Sequence, residues 1–135
     1  MRAPRPTLPA LLAAALLVFP GLGRADEVYV ISNGVVAMTP EEVKEVFLGE
    51  SQFSGAQKLQ PVDNAGAQAQ FLAHVLNISA PKYSTIWMKK AFRDGLNAPP
   101  LKATDVEVLN FVRSHPGAIG YTASEPQGVH VIGRY

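Results

Sequence analysis

The chain has 135 residues, of which 47% are apolar and 17% charged, and it contains no cysteine. The absence of cysteine excludes disulfides, thiol catalysis and metal sites built on thiolates. The formal net charge is +1, and the cations are scattered apart from Lys89 and Lys90, so the sequence offers no polybasic surface for nucleic acid.

The first 25 residues have the features of a secretory signal peptide. Arg2 and Arg5 precede an apolar run from Leu8 to Phe19, and Gly23 and Ala25 supply small residues that suit cleavage. The apolar run is too short to cross a bilayer, which needs roughly 20 helical residues. We therefore predict cleavage after Ala25, a periplasmic domain over residues 26–135, and no stable membrane span. The predicted domain holds nine Lys and Arg against eleven Asp and Glu, a net charge of about −2.

From Glu27 onward, short strand-like runs alternate with helical patterns. EVYVIS is rich in β-branched and aromatic residues and predicts a strand that ends at Asn33. In TPEEVKEVFLGE, Thr39 and Glu42 have the spacing of a capping box, and Gly49 suits the residue after a helix. This stretch predicts the first helix.

The middle of the chain predicts a loop at SQFSGAQ, a second strand at KLQPVD and a helix from about residue 65 to residue 77. A further helix, PKYSTIWMKKAFRDG, starts near Pro81 and stops at Gly95, and LNAPPLKAT then predicts a linking loop. A fourth helix begins at Thr104, where Glu107 has capping-box spacing, and ends before Pro116.

Two strands complete the chain, at residues 117–122 and 129–132. In PGAIGYT, Ala118 and Gly120 should share one face of the strand, and Ile119 and Tyr121 the other. Strands separated by helices predict an α/β fold: a single compact three-layer lobe with a mainly parallel sheet flanked by helices.

The sequence carries no recognisable catalytic or metal-binding pattern. The three histidines, His74, His115 and His130, do not have a ligating spacing. Ser114 and His115 are neighbours in sequence, but a nucleophile and its base meet through the fold rather than by adjacency. We therefore expect a protein that is not an enzyme and has no metal and no cofactor.

The segment PVDNAGAQAQF is the best candidate for a ligand site. It runs from a strand through a turn of small residues into a helix, and free N–H groups at such a helix start can bind an anion. The alternative is that the side chain of Asp63 or Asn64 simply caps the helix, and spacing alone favours this alternative.

Four motifs together resemble a known family. VYVISN, TPEEVKEVFLGE, LQPVDN and PGAIGYT follow one another in the order and approximate spacing seen in the phosphate-binding proteins of ABC importers, which have the type 2 periplasmic binding fold. The resemblance covers nearly all of residues 26–135, which correspond to only one of that family's two lobes. It implies a small oxyanion such as phosphate as ligand, and an ABC permease or another periplasmic protein as partner. The ligand-binding residues that it implies are Ser32, Asn33, Asp63, Asn64, Ala65, Gly66, Ala67 and Gln68.

The chain departs from the family at the anion-binding turn. Asp63 stands where the family has arginine, and Ala67, Gln68 and Ala69 stand where it has Ser-Gly-Thr, so that only Gly66 agrees. A carboxylate repels phosphate, and the lost arginine and hydroxyl donors would each have contributed a charge-assisted hydrogen bond. The sequence therefore predicts an exported solute-binding-like protein that binds phosphate or another small anion weakly. The alternative is a ligand-free lobe that serves as a protein–protein interaction module.

Overall fold

A computed structural model describes residues 3–4, 27–35 and 37–135. The predicted signal peptide and its cleavage site, apart from residues 3 and 4, lie outside the described residues. Eight strands and four α-helices follow one another in these positions: β1 Tyr29–Ser32, α1 Pro40–Phe47, β2 Phe53–Ser54, β3 Gln57–Lys58, β4 Gln60–Pro61, β5 Asp63–Asn64, α2 Gln68–Phe71, α3 Ala80–Asp94, β6 Leu101–Lys102, α4 Asp105–Ser114, β7 Ala118–Thr122 and β8 His130–Arg134.

The helix ends follow the capping residues in the sequence. Thr39 and Glu42 form the reciprocal capping box of α1, as predicted. Thr104 caps α4 by accepting from the N–H of Glu107, whereas the Glu107 carboxylate accepts from the N–H of Ala103, so this box is only half formed. The second predicted helix is less regular than its pattern indicates, since α2 continues as a π-helical turn, Leu72–Leu76.

The main sheet has the strand order β4-β7-β1-β8, and it is mixed. Strand β4 is parallel to β7, whereas β1 is antiparallel to both β7 and β8. The prediction of a mainly parallel sheet is therefore not confirmed. Strand β1 lies between β7 and β8 and is antiparallel to both, so two of the three strand pairings in this sheet are antiparallel.

Three short strands lie where the sequence predicted loops. SQFSGAQ contains the hairpin of β2 and β3, and β6 lies within LNAPPLKAT and pairs in parallel with β5. Strands of two residues carry almost no periodic signal, so they escape detection by pattern. The predicted strand KLQPVD is divided between β4 and β5.

The sheet is covered by helices on both faces, which confirms the three-layer arrangement. One apolar cluster joins Val30 and Tyr121 to α1, α3 and the π-helical turn. The other joins Ile31 and Ala118 to Val108 and Val112 of α4. Because side chains alternate along a strand, neighbouring residues of β1 and of β7 enter different layers of the core.

Gly120 lies where side chains of α4 pack against β7. A Cβ atom there would lie 2.8 Å from side-chain atoms of both Val62 and Val108. We expect Gly120→Ala to lower the free energy of unfolding by about 1–3 kcal/mol, the usual cost of overpacking. Urea denaturation measures this loss. Gly66→Ala is the control, since its nearest neighbour would be at an ordinary 3.4 Å, and equal losses in the two variants would contradict the prediction.

No helix in the described part of the chain is long and apolar enough to cross a membrane.

Candidate functional site

Asp63 is the first residue of β5, and its carboxylate is buried between two tyrosines. The hydroxyl of Tyr83 donates to Oδ2 at 2.7 Å, and the hydroxyl of Tyr121 donates to Oδ1 at 2.8 Å. Asp63 is only 3% exposed. Within the described part of the chain no cation pairs with this carboxylate. The site therefore contains an acid that is satisfied by neutral donors alone.

Burial controls the charge of this acid. Desolvation raises the pKa of Asp63 from 3.8 to about 6, although the two tyrosine hydrogen bonds act in the opposite direction. The same burial and the nearby carboxylate raise the pKa values of Tyr83 and Tyr121, so both phenols keep their protons. Near neutral pH, Asp63 thus places a negative charge beneath the turn that follows it.

Asn64 organises that turn through its side chain. Its Nδ2 donates to Oδ1 of Asp105 at 2.7 Å and to the carbonyl of Tyr121 at 3.0 Å, while its Oδ1 accepts from the N–H of Gly66 at 3.0 Å. Asp105 is held in turn by the N–H groups of Ala123 and Ser124. The network fixes β5 against α4 and the end of β7.

The N–H groups of the turn are already engaged. Ala65 donates to the carbonyl of Lys102, Gly66 to the side chain of Asn64, and Ala67 to the carbonyl of Asn64. Ala67 is the N-cap of α2 and makes no side-chain capping bond. Asn64 thus closes the turn before the helix and does not cap the helix itself, and three of the donors considered for an anion already have acceptors.

Asp63 and Gln68 line an open cleft of about 510 Å³ at the end of the sheet. Tyr83 and Trp87 of α3 form its apolar wall, and Leu101 lies on its rim. The indole N–H of Trp87 donates to the carbonyl of Phe47 at 3.0 Å, which fixes α3 onto α1. Tyr121 stacks on Phe71 with ring centroids 3.8 Å apart, so the floor beneath the carboxylate is rigid.

Ser32 and Asn33 lie in a second cleft, of about 300 Å³, between β1, α4 and β8. The Asn33 amide donates to the carbonyls of Val112 and Arg113 at the end of α4, at 2.9 and 3.3 Å. The hydroxyl of Ser32 donates to the carbonyl of Val35. The Ser32 side chain is therefore bonded within the loop after β1, whereas the Asn33 side chain ties that loop to the end of α4.

Arg113 brings a positive charge to this second cleft, which His130 also lines. Both residues line it together with Gly34, Gly128 and Val129, and no carboxylate residue is in its lining. The Arg113 guanidinium donates to the carbonyl of Gln127 at 2.6 Å, which holds the side chain against the β7–β8 loop.

The structure does not bring the eight predicted residues into one site. Ser32 at the end of β1 and Pro61 at the end of β4 both pair with Ile119, but β1 is antiparallel to β7 and β4 is parallel to it, so the two chains continue in opposite directions along β7. The N–H of Asn33 donates to the carbonyl of Ala118 at the start of β7, whereas the side chain of Asn64 donates to the carbonyl of Tyr121 near its end. Ser32 and Asn33 therefore occupy one end of the sheet, and the segment from Asp63 to Gln68 occupies the other. The ligand role of these residues remains a prediction.

Ser114 and His115 lie close together without forming a nucleophile and base pair. Ser114 Oγ is 3.0 Å from Nδ1 of His115, but it donates to the carbonyl of Asn110 at 2.8 Å. The same Nδ1 lies 2.8 Å from the carbonyl of Phe111. A carbonyl only accepts, so Nδ1 carries the proton and cannot take one from the serine.

Among the residues that the structure describes, no group of three or more His, Cys, Asp or Glu side chains is placed to hold a metal ion.

The fold is periplasmic-binding-protein-like. The structure is similar to the crystal structure of an ABC-type phosphate transport receptor from Vibrio cholerae, with a TM-score of 0.54 and 14% sequence identity. The match covers 78% of this chain and 44% of that receptor chain, so the present chain spans less than half of the receptor's length. No protein-family model and no curated protein matches the sequence.

Proposed function

We propose that this chain is an exported, non-enzymatic solute-binding-like protein that binds phosphate or another small oxyanion weakly. The observation that supports this function is the likeness of the fold to part of a phosphate transport receptor. The signal-like residues 1–25 support a periplasmic location, where an ABC permease or another periplasmic protein would be the partner.

The cleft of Ser32 and Asn33 suits an oxyanion better than the cleft of Asp63. The first contains Arg113 and His130 and no carboxylate residue in its lining, whereas the second has a buried acid at its base. A guanidinium matches the geometry of an oxyanion through two parallel N–H donors. We therefore assign the anion to the cleft between β1, α4 and β8, with Arg113 as its main cation.

Binding at this cleft should be weak. Arg113 already donates to Gln127, and the amide of Asn33 is committed to the end of α4. The carbonyl end of that helix also disfavours negative charge. One charge-assisted contact in an open cleft is consistent with a Kd in the millimolar range, equivalent to about −4 kcal/mol.

Calorimetric titration of residues 26–135 with phosphate and with sulfate tests the proposal, and we expect millimolar binding of at least one of them. Arg113→Gln should weaken binding at least tenfold, since a hydrogen bond to a charged group contributes roughly 1.5–3 kcal/mol. Arg134→Gln is the matched control, because it removes the same charge from a residue that pairs with Glu125 at 3.3 Å.

The outcomes of this titration show whether an oxyanion binds and which cleft holds it. Equal losses in the Arg113 and Arg134 variants would show that only net charge matters and would contradict the assigned cleft. Tighter binding by Asp63→Asn would place the anion beside the buried acid instead. No heat and no thermal shift at high ligand concentration would contradict oxyanion binding altogether.

An interaction module is the second candidate function, because apolar side chains lie on the rim of the Asp63 cleft. Met88 and Leu101 are 67% and 58% exposed there. Such residues commonly mark a surface that a partner covers. Sedimentation of residues 26–135, together with affinity capture from a periplasmic extract, distinguishes the two functions: a monomer that binds an oxyanion and captures no partner would count against the module.

A further inference from the structure

The outward face of α3 carries two apolar side chains that no part of the described chain covers. Phe92 is 93% exposed and Met88, one turn earlier, is 67% exposed. The core-facing residues Tyr83 and Trp87 lie on the opposite side of the same helix. Phe92 therefore points away from the core, where a large aromatic group gains nothing from folding.

Cations lie beside this apolar pair. Lys89 and Arg93 form a shallow surface hollow together with Met88 and Phe92, and Lys82 and Lys90 lie on the same helix. The ion pairs found in the described part of the chain do not involve Lys89 or Arg93. Asp94 is the single carboxylate residue of α3, so the helix is basic although residues 26–135 as a whole are slightly acidic.

The charge pattern argues against a second copy of the chain on this face. A two-fold symmetric contact would bring the Lys89 and Arg93 of one copy against the same residues of the other, and such like-charge contacts are unfavourable. The apolar stripe is also short for a helix that fills a protein groove. Groove-binding helices use anchors at i, i+3 or i+4, and i+7, whereas Gly95 occupies the i+7 position from Met88.

We propose that this face, consisting of Met88, Phe92, Lys82, Lys89 and Arg93, binds reversibly to an anionic lipid surface. An aromatic tip flanked by cations needs only shallow insertion, with Phe92 and Met88 among the acyl-chain ends and the cations at the lipid phosphates. The bound protein lies on the membrane without crossing it. Such docking would keep a solute-binding lobe close to the membrane surface.

Vesicle flotation with residues 26–135 tests the proposal. This segment contains every residue of the two apolar clusters formed by the described residues, and it lacks the apolar run at residues 8–19. We expect binding to phosphatidylglycerol vesicles at low salt, loss of binding at high salt, and none to phosphatidylcholine vesicles. Lys89→Gln/Arg93→Gln should weaken binding by roughly fivefold for each cation removed.

Two control variants separate the face from net charge and general hydrophobicity. Lys44→Gln/Lys58→Gln removes two cations elsewhere and should weaken binding less than the α3 pair does. Phe92→Ala should weaken binding, whereas Phe53→Ala, at a site that is 57% exposed, should not. Quenching of a Phe92→Trp variant by brominated lipids would place the side chain in the acyl region.

The proposal is overturned if the protein floats with neither type of vesicle. It is also overturned if the two double variants lose affinity equally, or if an acidic peptide binds to α3 while phosphatidylglycerol vesicles do not. A failure of oxyanion titration leaves this proposal intact, because Arg113 and the cleft of Ser32 contribute nothing to the lipid-binding face.

Discussion

Gly117→Ala is expected to lower the free energy of unfolding by about 3 kcal/mol or more. Two effects add at this position, backbone strain and a steric clash. Gly117 has a φ of +83°, and its Cβ would lie 2.1 Å from the carbonyl oxygen of Lys58. The left-handed backbone costs a non-glycine residue roughly 1–2 kcal/mol. The clash is with backbone, so it requires β7 to move relative to the β3–β4 segment.

Gly34→Ala is the matched control for Gly117→Ala. Gly34 also has a positive φ, +92°, but a Cβ there would have no neighbour within 4 Å. Urea denaturation of both variants separates backbone strain from the clash, because only Gly117→Ala experiences both. Equal losses of stability in the two variants would show that the contact with Lys58 is relieved cheaply.

The effect of Gly117→Ala should reach the proposed oxyanion cleft. The N–H of Gly117 donates to the carbonyl of Asn33 at 2.9 Å, and the carbonyl of Gly117 accepts from the N–H of Gln60 at 2.9 Å. The residue thus joins the loop after β1 to β4. We expect any Gly117→Ala protein that remains folded to show a weaker response to oxyanions than the wild type does.

Local signals in the sequence predicted most of the helical framework. The capping residues Thr39 and Thr104 and the stop at Gly95 predicted helix ends correctly, because a cap depends on residues only three or four positions apart. The alternation in PGAIGYT was also confirmed: Ile119 and Tyr121 enter one cluster and Ala118 the other. Such features depend on the strand itself and need no knowledge of its partners.

The pairing of strands and the surroundings of Asp63 could not be predicted in this way. The sequence does not encode locally that β1 is antiparallel to β7 while β4 is parallel to it. These directions decide that the loop after Ser32 and the turn after Asp63 leave opposite ends of the sheet. Tyr83 and Tyr121 are 20 and 58 residues from Asp63 in sequence. Their hydroxyls meet the carboxylate only through the fold.

Arg113 was missed for a related reason. In the sequence, Arg113 lies in the last turn of a predicted helix. A cation is favourable there because it interacts with the helix dipole, so its presence needs no functional explanation. Its place in a cleft depends on the β7–β8 loop, which brings Gln127 within hydrogen-bonding distance. A search for cations close to the ends of predicted strands, rather than for family motifs, would have found it.

Asp63 should make the protein more stable in mild acid than at neutral pH. The carboxyl has a pKa of about 6 in the folded protein and about 3.9 when unfolded. The folded state therefore binds the proton more tightly. The stabilising contribution of the Asp63 proton to the free energy of unfolding is complete below about pH 4. It decreases as the pH rises through about 6 and is constant at higher pH. A shift of roughly two units corresponds to a loss of about 3 kcal/mol.

Asp63→Asn should remove this dependence. Asparagine has nearly the same shape and carries no ionisable proton, so the unfolding free energy of the variant lacks the decline between about pH 4 and 6. Near neutral pH the variant should match or exceed the wild type, since the buried charge is gone while Oδ1 still accepts from one tyrosine. Asp94→Asn, on the exposed end of α3, controls for the loss of one negative charge. A wild-type curve parallel to that of Asp63→Asn across this range would show that burial between Tyr83 and Tyr121 does not perturb the carboxyl.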